Sequence, residues 1–374
     1  MIVLTVNTGS SSVRLALHRL DAAGEPQPVQ RAHHDASAGS PEERLAAFLA
    51  SHHGPSPRLA AHRVVHGGPR LTQARVMDAD VEAEIERCAP LAPLHNPVAL
   101  AWVRAARAVL GNEVPQVAVF DTAFFSILPE VAATYALPHE LCARHSLRRY
   151  GFHGLAHRAL WTRWRALRPD LADGGRAVTF QLGAGCSAAA IDRGRPLDTS
   201  MGFSPLEGLV MATRSGDVDP GLLVHLQREE GLDAEGLGTV LSERSGLLGV
   251  SGRSGDLRQL VEADDPRARL AVRLYTYRAR KYLGAYLAVL GGTDGVVFGG
   301  GAGENAPAVR ADILQGMAWA GVRLDDAAND DAVGREARVS APDSPVEVWV
   351  IPVDEEKVLA TEALAATINT RSRP

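Results

Sequence analysis

Residues 177–200 read AVTFQLGAGCSAAAIDRGRPLDTS. An apolar run enters a glycine-containing turn, a serine follows, and a second apolar run leaves it, which predicts two strands joined as a hairpin. The chain opens with the same pattern. In residues 2–20, IVLTVNTGSSSVRLALHRL, a strand is predicted over Ile2 to Val6, a Gly/Ser turn over Asn7 to Ser12, and a second strand over Val13 to Leu20, where Leu15 and Leu17 alternate. Asn7-Thr8-Gly9-Ser10 has its counterpart in Gln181-Leu182-Gly183-Ala184-Gly185. A repeat at about half the chain length implies an internally duplicated architecture, each half beginning with a hairpin over a phosphate.

The segments around the hairpins alternate strand and helix. Residues 23–57 are polar, with Ala-rich helical pieces and the breakers Gly54 and Pro55; RLAAHRVVHGG then predicts a strand ending in Gly67-Gly68. Helices are expected at 79–88, 98–110, 155–168 and 266–290, and QVAVFDTAF supplies a strand that delivers Asp121 just past its apolar run. Near the end, GVVFGG reads as a strand and GAGEN as a loop, before the strand VEVWVIPV and a helix from EEKVLATEALAATI. This alternation implies an α/β fold with mixed sheets. A purely parallel sheet is a poor fit, because both halves open with hairpins.

At 374 residues, 46% hydrophobic and 22% charged, the chain has the balance of a globular protein with room for two cores. A formal net charge of -5 leaves no basic footprint, which argues against a nucleic-acid partner. The cysteines Cys88, Cys142 and Cys186 are widely spaced, with no CxxC pair, and an odd count suits a reducing compartment. No uncharged run approaches the roughly 18 to 20 apolar residues that span a bilayer, and Met1 leads directly into Ile2-Val3-Leu4 without a signal-peptide pattern. A soluble, cytoplasmic protein is expected.

Glycine-rich turns at 7–12, 183–187 and 299–303, with Gly67-Gly68, allow backbone amides to converge on phosphate oxygens. None has the GxxxxGK[ST] spacing of a P-loop, and the first lacks the GxGxxG of a dinucleotide fold. Several such loops together favour a cleft that holds a polyphosphate. Arg63, Arg214 and Arg258 stand near these loops and supply planar donors suited to phosphate or carboxylate. Acidic candidates are Asp121, Asp217, Asp219 and Glu355-Glu356; Asp219, followed by Pro220, reads more readily as a helix cap. His153 in YGFHG is a credible phosphate partner, with His66, His95 and His157 as alternatives. No HExxH or comparable ligand cluster suggests zinc.

In order along the chain, NTGSSSVRLAL, HRVVHGG, PLAPLHNP, AVFDTAFF, RRYGFHG, DTSMGFSPLEGLVMATRSGDVDP, SGLLGVSGRSGDLR, VVFGGGAGEN and IPVDEE resemble the acetate and butyrate kinase family of the sugar kinase, actin and heat-shock ATPase superfamily. The resemblance spans residues 2–356 and implies duplicated ribonuclease H-like domains flanking a cleft. It divides the chain into 1–148 plus 356–374 and 149–355, and it implies a homodimer. It further implies reversible, direct in-line phosphoryl transfer from ATP to acetate, giving acetyl phosphate and ADP, with Mg²⁺ or Mn²⁺.

By that resemblance Arg63, Asp121, His153 and Arg214 are catalytic. Arg63, Val65, Leu94, Phe152 and Pro205 would meet the substrate. The phosphates and nucleotide would lie against Ser10, Ser12, Arg14, Gln181, Gly183, Gly185, Asp256, Arg258, Gly300, Gly301, Glu304 and Asn305, and the metal near Asn7 and Glu355.

Three departures stand out. The family's second hairpin normally reads HLGNG, whereas here Gln181 and Ala184 replace its histidine and asparagine. Arg14 stands for the usual lysine, and Phe125 for the histidine of DTAFH. Gln donates a hydrogen bond but carries no charge, and Ala donates nothing from its side chain. These departures leave open propionate, butyrate or another acid as acceptor, and also a weakly active or non-catalytic nucleotide-binding homologue.

Overall fold

The computed structural model describes residues 1–9, 12–35 and 39–371. The chain divides into two compact units, Met1–Ser126 with Asp354–Pro374, and Ile127–Val353. The first contains strands β1 (Ile2–Thr8), β2 (Ser12–Leu20), β3 (Pro26–Asp35), β4 (Leu59–Val64), β5 (Arg75–Val76) and β6 (Gln116–Phe120), ordered β3-β2-β1-β4-β6-β5. The second contains β7 (Arg176–Leu182), β8 (Cys186–Asp192), β9 (Arg195–Thr199), β10 (Gly295–Gly299), β11 (Ala337–Arg338) and β12 (Glu347–Val350), ordered β9-β8-β7-β10-β12-β11. Numbered within its own unit, each sheet has the order 3-2-1-4-6-5. In each, the first, fourth and sixth strands are parallel and the other pairings antiparallel. The expected duplicated mixed-sheet fold is therefore present, and both hairpins fall where the repeat placed them.

The parallel strands bring their C-terminal ends to one edge of each sheet, where open α/β sheets bind ligands. In the first unit Val6 lies opposite His62 and Val64 opposite Phe120, so Asn7, Arg63 and Asp121 come to that edge together. All seven residues of β1 are buried, which requires cover on both faces. Leu4, Val6, Leu15 and Leu17 pack with Leu45, Phe48 and Trp102 from the helices Pro41–Ala50 and Asn96–Leu110. The C-terminal helix Glu355–Arg371 also packs on β1, β4 and β6, which brings its first turn to Asn7. In the second unit Phe180 and Phe298 stack with centroids 5.3 Å apart, filling the core beneath the equivalent edge.

Three expectations are corrected. Residues 127–148, assigned to the first domain, belong to the second unit: Phe203 N–H donates to the Tyr135 hydroxyl at 2.8 Å, that hydroxyl bonds Glu207, and Arg149 N–H donates to Ala133 at 2.8 Å. The polar stretch 23–57 contains β3 as well as a helix. This is an edge strand holding Pro26 and Pro28, mostly exposed, so it lacks an apolar alternation. Finally, Gly300–Asn305 is a short helix rather than a loop, because Glu304 reaches back to accept from Gly300 N–H at 2.9 Å. Among the described residues no helix is long and apolar enough to cross a membrane.

Four histidines are buried, and burial pushes their pKa down, to about 4 for His18, His62 and His66 and about 3 for His157. The folded chain keeps them neutral, while an unfolded chain protonates them near pH 6.5. Stability is thus full above about pH 6.5 and lost as pH falls toward 4, with each histidine contributing roughly 1.4 kcal/mol per pH unit in that window. Thermal unfolding followed from pH 7.5 to 5 should show a level midpoint down to about pH 6.5 and a steady fall below it; a flat profile throughout would contradict this account.

Candidate functional site

In the first unit Arg63 is the centre of a polar cluster. Its Nη2 donates to Asp121 Oδ2 at 2.6 Å and Nε to the same oxygen at 3.1 Å. Nη1 reaches Asn7 Oδ1 and the Thr8 carbonyl, both at 3.3 Å. Asn7 Nδ2 in turn donates to Glu355 at 2.8 Å and to Glu356 at 3.4 Å. Arg14, opposite Asn7 in the hairpin, lies 3.7 Å from Glu356. Burial works against the Arg63 charge, but Asp121, and after it Glu355 and Glu356, hold its pKa above the ordinary guanidinium value.

Glu355 and Glu356 are both buried, neighbouring carboxylates at the start of a helix. The family resemblance puts the metal near Asn7 and Glu355, with Glu356 beside it among the acidic candidates; the contacts of Asn7 and Arg14 with Glu356 show that both carboxylates face this cluster. Their oxygens suit a hard divalent cation that also takes waters and substrate phosphates. Among the described residues no group of three or more His, Cys, Asp or Glu side chains is placed to hold an ion unaided. The Asn7 amide oxygen faces Arg63 and its nitrogen faces Glu355, so this side chain orients its neighbours as it stands.

Of the other candidates in this unit, Ser10 lies outside the described residues. Ser12 begins β2, and its carbonyl accepts from Gly9 N–H at 2.8 Å. Val65 is buried, whereas Leu94 is 64% exposed. Phe125, in place of the family's histidine, is fully buried and meets Phe124 edge-on at 5.1 Å.

The second unit holds the remaining candidates. His153 precedes the helix Gly154–Leu167 in a left-handed conformation, φ 56°, ψ 29°. Such a backbone costs a non-glycine residue about 1 kcal/mol, which the surrounding contacts must offset. A methyl added to Gly185 would lie 3.2 Å from His153 Cε1 and Nε2 and 3.5 Å from Arg214 Nη1. The hairpin glycine therefore leaves room for the imidazole and the guanidinium on one side of the turn.

Arg214 has few partners there: the Pro205 carbonyl at 3.4 Å and Met211 Sδ at 3.9 Å. No carboxylate among the described residues pairs with it, and burial pulls its pKa down. Asp217 braces the segment that carries Arg214. Its carboxylate accepts from Gly208 N–H at 2.7 Å and Tyr282 at 2.9 Å and pairs with Arg278 at 3.2 Å. Asp219 caps a helix, as its Pro220 neighbour suggested.

Gln181, next to last in β7, lies opposite Gly299, and among the described residues its buried Oε1 has no hydrogen-bond partner. A side chain on Gly300 would meet that amide at 2.9 Å, and Gly300 also has φ 76°, so both space and backbone require glycine. Glu304 accepts from Gly300 N–H and from Val353 N–H at 3.1 Å, and Asn305 donates to the Gly301 carbonyl at 2.9 Å. Asp256 caps the helix Leu257–Glu262 and pairs with Arg258 at 2.9 Å; Arg258 is 84% exposed. Phe152 is buried.

Sequence reasoning missed Arg310. Fully buried, it donates to Asn329 Oδ1 at 2.8 Å and to the carbonyls of Gly303 (2.8 Å), Asn329 (2.7 Å) and Ala332 (2.8 Å). Burial lowers its pKa to about 10, so the guanidinium stays charged at neutral pH. It ties the glycine-rich helix to the segments behind it, and no motif signals that role.

The duplicated sheets, with glycine-bearing hairpins at matching edges, place the chain in the sugar kinase, actin and heat-shock ATPase superfamily. A model of the Acetokinase family matches residues 45–361. The acetate kinase of Solibacter usitatus is 49% identical over 296 residues, covering 78% of this chain and 72% of its own length. That of Clavibacter michiganensis is 45% identical over 397 residues, covering 98% and 99%. Among solved structures, Porphyromonas gingivalis acetate kinase superposes with a TM-score of 0.88 at 38% identity, covering 98% of this chain and 99% of its own. A propionate kinase from Francisella tularensis gives 0.88 at 32% identity, covering 97% and 99%. The chain belongs to the acetokinase family.

Replacing Arg310 with Met would strand three buried carbonyls and the Asn329 amide oxygen. We expect a loss of roughly 2 to 4 kcal/mol in unfolding free energy, read by chemical denaturation. A loss below about 0.5 kcal/mol would show that these bonds are replaced at no cost.

Proposed function

We propose that this protein transfers the γ-phosphoryl group of ATP to acetate, giving acetyl phosphate and ADP, and runs the reverse reaction. The observation that carries this reading is Arg214: a largely buried guanidinium without a carboxylate partner, beside His153 across a glycine turn. A desolvated cation held this way favours a ligand that brings negative charge, and a phosphoryl group supplies oxygens for its fork.

A carboxylate oxygen of the acid attacks the γ-phosphorus, a new O–P bond forms, and the bond to the β–γ bridging oxygen breaks as ADP leaves. Such transfer needs orientation and charge stabilisation more than covalent help. Arg214 balances charge on the transferring group and His153 donates to its oxygens. Arg63, aligned by Asp121 and Asn7, orients the carboxylate acceptor. Glu355 and Glu356 hold a divalent cation, Mg²⁺ or Mn²⁺, which when bound neutralises phosphate charge. The glycines of the 183–185 turn and Gly300 and Gly301, which carry no side chains, leave room for the nucleotide to approach the backbone. Val65, Phe152 and Pro205 supply apolar surface for the acyl group, and Leu94 does so from an exposed position. Two free cysteines, Cys88 and Cys186, are buried thiols, which suits a reducing cytoplasm. A homodimer is part of the same reading.

A second acceptor has support of its own. The structural likeness to a propionate kinase equals that to an acetate kinase. One extra methylene changes burial by only ~0.8 kcal/mol, so pocket shape must decide between the acids.

Hydroxylamine trapping of acyl phosphate, with Mg-ATP and acids from formate to butyrate, tests this directly. The strongest signal should come with acetate; a preference for propionate would move the acceptor. No signal from protein that binds ATP would leave a nucleotide-binding homologue without the reaction. Arg214→Ala should lower kcat roughly a hundred- to a thousandfold without loss of fold. Near-normal turnover in that variant would remove Arg214 from the chemistry.

A further inference from the structure

Behind His153 runs a chain of hydrogen bonds that ends in the core. His153 Nδ1 meets Ser187 Oγ at 2.9 Å, Ser187 Oγ meets His157 Nε2 at 2.8 Å, and His157 Nδ1 meets Thr179 Oγ1 at 2.7 Å. Ser187, His157 and Thr179 are fully buried. Two strand registers and one helix repeat assemble them: Ser187 lies opposite Gln181 on the hairpin, Thr179 two residues earlier on β7, and His157 one turn after His153.

The protons in this chain have one consistent arrangement. Among the described residues the Thr179 hydroxyl has one hydrogen-bond partner, His157 Nδ1. A buried hydroxyl proton left without an acceptor is costly, so Thr179 donates to that nitrogen. Neutral His157 then carries its proton on Nε2 and donates to Ser187. The serine oxygen is thereby used as acceptor, and its own proton goes to His153 Nδ1. What remains on His153 is a proton on Nε2, on the side of the ring that faces the Gly185 turn.

We propose that Thr179, His157 and Ser187 are positioning residues that hold His153 as the neutral Nε2–H tautomer, making it a hydrogen-bond donor to the transferring phosphoryl group rather than a cation or a base. This rests on the kinase reading for the identity of the acceptor, though not for the tautomer itself. Protonating His153 would put a proton on Nδ1 facing the serine proton. The whole chain would have to reverse, leaving the Thr179 proton without an acceptor in the core.

The surroundings agree. Burial, with His153 adding to it, pushes His157 down to about 3, so the middle of the chain stays neutral. Groups facing His153 include His157 from its own helix, Ser187 from β8 and, across Gly185, the cationic Arg214. Cys186, next on β8, contacts Tyr275 and the Gly183 carbonyl and is kept a thiol by burial. A neutral donor also keeps its strength across the pH range in which an imidazolium would be titrating.

Histidine ¹⁵N NMR on the full chain, with His153 assigned by its loss in His153→Gln, reads the tautomer without any turnover. The expected result is protonated Nε2 and bare Nδ1 from pH 8 down to 6. Thr179→Val keeps the shape but removes the terminal donor. It should release His153 into a tautomer mixture and lower kcat roughly ten- to a hundredfold, with KM for ATP and acid within about twofold. Thr179→Ser should restore both readings. Should Thr179→Val fail to fold, Ser187→Ala breaks the chain one link later with the same expected signature. A wild-type His153 that is protonated on Nδ1 at neutral pH, or a Thr179→Val protein with unchanged tautomer and kcat, would overturn the proposal. If wild-type protein forms no acyl phosphate, the kinase reading fails, and the NMR result still decides the tautomer.

Discussion

The burial of Arg63 is the constraint on which the first unit depends. A guanidinium removed from water must find anionic and dipolar partners, or its desolvation would outweigh the packing around it. Those partners come from three places far apart in sequence: Asp121 after β6, Asn7 and the Thr8 carbonyl at the end of β1, and the glutamates that open the C-terminal helix. Parallel strands explain how they meet, since all three central strands end at the same edge. The C-terminal helix packs on those strands, which is why the last segment of the chain belongs to the first unit.

The second unit has the same sheet and an opposite electrostatic solution. Where Arg63 is neutralised by its own chain, Arg214 meets, among the described residues, a carbonyl and a thioether. Its segment is braced instead from behind, through Asp217, Tyr282 and Arg278, and from the side, through Arg149 and Glu207 at 2.5 Å. Duplication has kept the backbone order and divided the tasks. One edge presents carboxylates with an arginine already paired, while the other presents an arginine and an imidazole beside glycine turns.

Buried polar groups away from these edges have a shared role in holding backbone. Arg310 satisfies three carbonyls behind the glycine-rich helix, and Glu304 satisfies two amides in front of it. A helix of GGAGEN has little intrinsic propensity, so these contacts explain why it forms. The replacement of the family's histidine by Gln181 fits the same frame. Its amide lies against Gly300, occupying the space without bringing a charge, and leaves one buried oxygen unpartnered.

Much of the fold was legible along the chain, because the glycine turn between two alternating apolar runs is a local signal and it occurs twice. The candidate residues Asn7, Arg63, Asp121, His153 and Arg214 were legible too, standing at strand ends or in short motifs. Local reasoning failed where burial pattern or neighbours decide: β3, whose edge position leaves no apolar alternation; residues 127–148, held to the second unit by Tyr135; and Asp217, whose acidity suggested a ligand but whose partners make it a brace. No local pattern marks Arg310, Ser187 or Thr179, since each acts through a partner brought by sheet register or packing. Sequence by itself determined which elements form, through periodicity and turn chemistry. Tertiary structure decided which charges are neutralised and which protons point where, because desolvation and hydrogen-bond direction depend on neighbours that only folding supplies.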